Sequence, residues 1–193
     1  MASTLDPDLE ALRRTVERQQ WMEAFELLSV VLEKLAPRRI VQLSAVQMKA
    51  ALPAFEELRT KLRWTRQAIE LMSNGDPLPD DFEFGQEAEG ANPIVTNFMI
   101  GLDKLDAAAS EQDDPHVCAN NGTRAILSAI SARRYHYFSR LFPRDWRIVV
   151  KREAGAKDLP PIKSKFLEES AVEEFTTGLW RSLVEQIKDA LAG

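Results

Sequence analysis

The 193-residue chain has a single cysteine, Cys118. No disulfide can form within it. The start, MASTLDPDLEALRR, also lacks the apolar run of a secretory leader, so a reducing, cytoplasmic setting is expected. Histidine is nearly as scarce, with only His116 and His136. The His116-x-Cys118 spacing fits no standard zinc pattern, so no metal is expected. No glycine-rich phosphate loop and no Gly-x-Ser-x-Gly elbow is present. The paired acids Glu56-Glu57, Asp113-Asp114, Glu168-Glu169 and Glu173-Glu174 point apart when placed on helices. No cofactor and no enzymatic activity is therefore expected. Nor does any stretch approach the roughly 20 apolar residues of a membrane span.

Glycine, at eight residues, is sparse, whereas Ala, Leu, Glu and Arg are abundant. That balance predicts a mainly α fold, a compact bundle of about six to eight helices. The richness in Ala, Arg and Leu leads to the expectation of a bacterial source. The whole length, 1–193, suits one helical domain, with possible sub-lobes at 1–73 and 93–193.

The net charge of −5 is unevenly spread. Residues 74–92 carry six acids and no base, while the flanking parts are close to balanced. Proline and glycine punctuate this stretch, so it is expected to be an exposed acidic connection.

Helical stripes are regular elsewhere. Asp6-Pro7 is a cap followed by proline at the first helical position, and Leu9, Leu12 and Val16 then share a face. Met22, Phe25, Leu28, Leu32 and Leu35 form the next stripe, with Pro37 ending it. Ser44 and Gln47 are spaced as a capping box, opening a helix whose face carries Phe55, Leu58, Leu62, Ile69 and Met72. Pro53 is expected to kink or restart that helix, and Asn74-Gly75 to end it. Asn92-Pro93 opens another helix. Residues 115–122 read as either short helix or loop, with Thr123 capping a helix to Phe142. A second capping box, Ser170-x-x-Glu173, precedes the final stripe of Val172, Phe175, Leu179, Leu183, Ile187 and Leu191. The echo between AFELL at 24–28 and AFEEL at 54–58 has no third copy, so no solenoid is expected. Trp146, Ile148 and Val150 alternate with polar or charged neighbours, apart from Val149. This admits a minor two-stranded element, 81–84 with 146–150.

Residues 133–152, RRYHYFSRLFPRDWRIVVKR, hold seven Arg and Lys against one Asp, with five aromatics among them. On a helix, Ile130, Tyr137, Phe138, Leu141 and Phe142 share a bulky face, opposite small residues, so the aromatics read as core. Arg134 projects from the middle of that face. It requires either a carboxylate within the chain or an anionic ligand, because an unpaired buried charge is costly.

Two clusters interleave cations with aromatics: Arg59, Arg63, Trp64 and Arg66, and Arg144, Trp146, Arg147 and Lys151. Such clusters suit carboxylate-bearing protein partners, phosphate contacts with base stacking, or pairing within the chain itself. The expected function is that of a non-enzymatic protein–protein interaction domain of the adaptor, regulatory-subunit or toxin-immunity kind. The acids Asp80, Asp81, Glu83, Glu87 and Glu89 would meet a basic partner, and the basic clusters an acidic one. A nucleic-acid-binding subunit using 59–66 and 144–152 is the alternative. A pocket for an anionic small ligand at Arg134 is the second. No membrane contact is expected.

Overall fold

The computed structural model describes residues 6–60, 62–82 and 92–192. Among these, eight α-helices and one 3-10 turn are present, and no strand. The helices are α1 (Pro7–Glu17), α2 (Trp21–Leu32), α3 (Pro37–Glu56), α4 (Trp64–Met72), α5 (Pro93–Ser110), α6 (Pro115–Leu141), α7 (Pro143–Glu153) and α8 (Ser170–Ala192). The 3-10 turn spans Phe166–Glu168 and precedes α8.

Proline starts five of these helices, at Pro7, Pro37, Pro93, Pro115 and Pro143. The first helical position suits proline because its missing N–H has no partner to lose there. Three of the five also have a side-chain cap. Asp6 accepts from Asp8 N–H and Leu9 N–H, Asn92 from Ile94 N–H, and Asp114 from His116 N–H and Val117 N–H. Pro37 therefore opens α3 rather than ending α2, which already stops at Leu32.

α3, α5 and α6 form the centre, with the longest helix, α6, packed along α5 and crossed by α3. α1 and α2 pair with each other and lie against α8 and α6, respectively. The packing thus passes from α3 to α5 and α6, across the 74–92 boundary. Phe55 of α3 stacks on Phe98 of α5 with ring centroids 4.2 Å apart, and both side chains are fully buried.

Two glycines let the central helices approach. A Cβ on Gly122 would lie 2.4 Å from Ile40 Cγ2, and one on Gly101 would lie 2.6 Å from Met48 Sδ. Gly75, at φ +85°, closes α4 in the left-handed conformation, its N–H bonding to Met72 C=O.

Several sequence expectations are corrected. Residues 146–150 are not a strand but the middle of α7. Pro143 opens that helix, and the buried Asp145, Ile148 and Val149 lie within one turn on one side. A lone strand would leave its backbone groups unpaired, whereas a helix satisfies them internally. Of its proposed partner, Asp81 and Phe82 are non-helical coil, and residues 83–84 lie outside the described residues.

The Ser44–Gln47 capping box is also absent. Ser44 sits in the middle of α3 and donates to Ile40 C=O at 2.8 Å and Gly122 C=O at 3.3 Å, while Gln47 Nε2 donates to Gln186 Oε1 of α8 at 2.8 Å. Pro53 lies in the last turn of α3, which ends three residues later at Glu56. The long helix expected over 44–73 is two helices, α3 and α4. Residues 115–122 are helical and continuous with the rest of α6, so Thr123 is buried within that helix and caps nothing. At the last capping box, α8 draws its first backbone bonds from Glu169 C=O, and the Glu173 carboxylate serves tertiary contacts.

Candidate functional site at the end of α6

The C-terminal third of α6 carries Arg134, Tyr137 and Phe138. Phe138 is fully buried, stacked on Phe142 at 5.1 Å and edge-on to Phe166 at 4.9 Å. Tyr137, half-buried, stacks on Phe175 of α8 at 4.2 Å. The small-residue side, Ala125, Ser128, Ala129 and Ala132, is buried too, so this helix is packed on both sides. Leu141 is the exception on the bulky face, being 43% exposed at the helix end.

Arg134 meets its carboxylate within the chain. Its Nη2 donates to Glu173 Oε1 at 2.6 Å and to Leu167 C=O at 2.7 Å. The second oxygen of Glu173 accepts from Trp21 Nε1 at 2.8 Å. Both partners of the ion pair are mostly covered. One carboxylate thus ties the start of α2, the C-terminal third of α6 and the start of α8 together. The sequence pattern singles out Arg134 but not its partner, because Glu173 reads there as half of a cap. The one available signal is the spacing of Glu173 toward the buried face of Val172 and Thr176.

The first basic cluster does not form one helical face. Arg59 and Arg63 fall in the break between α3 and α4, and Arg66 pairs with Glu56 at 2.6 Å. Arg63 is exposed, while Trp64 is half-buried against the core.

The second cluster does form a face. Arg144, Arg147 and Lys151 follow one another at three- and four-residue spacing along α7, and all three are exposed. None has a carboxylate within ion-pair distance among the described residues. Trp146 leaves this face, tilts against Tyr135 at 6.0 Å and packs on the core.

The end of α6 is also tied to the end of α3. Glu57, one residue past α3, accepts from Arg140 Nη2 at 2.8 Å and contacts His136 Nε2 at 2.8 Å. Arg140, then His136, hold the Glu57 carboxyl below its ordinary range.

α7 is held from behind by Asp145. This residue is 5% exposed. It accepts from Ser164 N–H at 2.8 Å. The Ser164 side chain first, then the backbone, hold its pKa below the ordinary 3.8.

Of the acids in the connection, Asp80 and Asp81 are exposed, and Glu83, Glu87 and Glu89 lie outside the described residues. His116 and Cys118 do not converge on a metal-type cluster among the described residues. Instead His116 Nδ1 contacts Glu33 at 2.7 Å, and the Cys118 thiol faces Pro37 C=O at 3.7 Å. Burial pushes the Cys118 thiol up to about 11. No described helix is long and apolar enough to cross a membrane. No family model matches the chain, and no curated protein or solved structure matches it either.

Proposed function

We propose that this chain is a helical interaction module that docks an acidic surface of a partner protein on the outer face of α7. The observation that carries this reading is the row of Arg144, Arg147 and Lys151, exposed and without an ion-pair partner among the described residues. Elsewhere the chain neutralises many of its cations internally, as at Arg13–Glu10, Lys34–Asp6, Arg66–Glu56 and Arg181–Glu17. A rigid helix presenting three cations at one spacing is preorganised for carboxylates, and the charge accelerates encounter.

Packing supports a protein partner over single-stranded nucleic acid. Trp64 and Trp146, the aromatics that base stacking would use, are both engaged with the core. Phosphate contacts by the same cations are the second reading. Asp80 and Asp81 form a smaller acidic counterpart on the coil after α4.

Affinity capture from the native cell tests the proposal. The wild-type chain and the Arg144→Glu/Arg147→Glu/Lys151→Glu variant are compared, each with and without nuclease. A stoichiometric protein retained by the wild type, resistant to nuclease and lost from the variant is the expected result. The same proteins on both baits would overturn it. Material lost on nuclease treatment would transfer the face to nucleic acid.

A further inference from the structure

Behind the α7 face, the end of α6, the inner side of α7 and the 162–166 segment enclose a half-open pocket of about 330 Å³. Its walls are apolar, from Val149, Ile162, Phe166 and Tyr135. Its polar lining includes Arg152 and Lys165. Neither cation has an ion-pair partner among the described residues, and both are exposed. The Tyr135 hydroxyl has no hydrogen bond to any described residue.

The pocket wall is preformed. Phe166 takes φ +58°, a left-handed conformation that bulky side chains seldom adopt. Its ring is held there by Phe138 at 4.9 Å and Tyr135 at 6.0 Å, and Asp145 fixes the segment through Ser164 N–H. Backbone strain of this kind persists only where the surroundings impose it, and it concentrates at ligand-binding sites. The groove between α1 and α8 offers a contrast, because its Arg181 is already paired with Glu17.

We infer that this pocket binds a small carboxylate with an apolar body, its charge between Arg152 and Lys165 and its body against Phe166 and Ile162. The volume lies at the low end for ligand sites, which suits one ring on a short chain. Glu153 also lines the pocket, opposes an anion and weakens the site. The inference does not depend on the α7 docking face, since Arg152 and Lys165 are not part of it.

The same chemistry has two sources, a free acid or the carboxyl terminus of another chain. Three probes separate them: 4-phenylbutyrate, its amide, and a tetrapeptide ending in phenylalanine with a free carboxyl group. Amide-proton NMR titration reads the site directly. Saturable shifts confined to residues near 149–153 and 162–166 are expected for the acid. The uncharged amide should bind about tenfold more weakly, as for a lost charged hydrogen bond. Glu153→Gln should tighten binding several-fold, and Lys165→Glu should abolish it. Tighter binding of the peptide would assign the site to a chain terminus, and tighter binding of phenylbutyrate to a free acid. Absence of saturable binding by either acid would overturn the inference. So would equal binding of acid and amide, or affinity unchanged by Lys165→Glu.

Discussion

Glu173 does at one position what its sequence context gives little hint of. It accepts from Arg134 with one oxygen and from Trp21 with the other, in surroundings that exclude most water. Glu173→Gln keeps the shape and an acceptor for Trp21 but leaves the guanidinium without a counter-charge. Loss of about 3 kcal/mol is expected in urea unfolding, in the range for breaking a buried pair. An apolar Arg134→Met/Glu173→Leu double variant should lose less than the single one. Cys118 gives a second residue-scale expectation. Its thiol is covered and its pKa is raised by burial to about 11, so little thiolate exists at pH 8. Labelling by a disulfide reagent should be negligible in the native protein and complete in denaturant. Fast native labelling would contradict the placement of Cys118 under Pro37.

At the scale of elements, the close approach of α6 to α3 rests on Gly122, and that of α5 to α3 on Gly101. The two differ in what would have to yield. Opposite Gly122 stands the branched, fully buried Ile40, whereas opposite Gly101 stands the flexible end of Met48. Gly122→Ala should cost about 2 kcal/mol through overpacking. Gly101→Ala should cost less: both variants gain about 1 kcal/mol in helix propensity, but at Gly101 the Met48 tip can swing aside, leaving Ser128 Cβ at 3.0 Å as the remaining close contact. Thermal melts of the two variants read the difference.

α7 supplies a pH dependence. Asp145 is held below its ordinary value, chiefly by the Ser164 side chain. Its contribution is therefore complete above pH 3.8 and is lost as pH falls through the lower, folded-state value. Amide signals of 163–166 should change in that acid window in the wild type, and Asp145→Asn should remove the transition.

The same elements show what the sequence discloses and what it withholds. Proline at the first helical position, a polar cap before it and apolar residues at helical spacing are local signals, and they mark the starts of α1 and α5 directly. Residues 115–122 carry His, Cys, two Asn and Gly, all weak helix formers. They are helical because Cys118, Ala119 and Gly122 pack beneath α3, which is a tertiary effect. The 146–150 alternation misleads over five residues, a window too short to separate a strand from a turn and a half of helix. The cationic row of Arg144, Arg147 and Lys151 is visible in the sequence. The pocket beside it is not, since it depends on the 162–166 segment folding back over Tyr135.

At the scale of the molecule, an acidic chain presents a local cationic face at one end of its longest helix. Net charge does not govern such an encounter; the nearby potential does. The most direct measurement is the association rate of the captured partner, as a function of ionic strength, for the wild type and for the Arg144→Glu/Arg147→Glu/Lys151→Glu variant. The account predicts a wild-type rate that falls steeply with salt, and a variant rate about tenfold or more lower at low salt with a nearly flat salt dependence. Equal rates and equal salt slopes for the two proteins would contradict it.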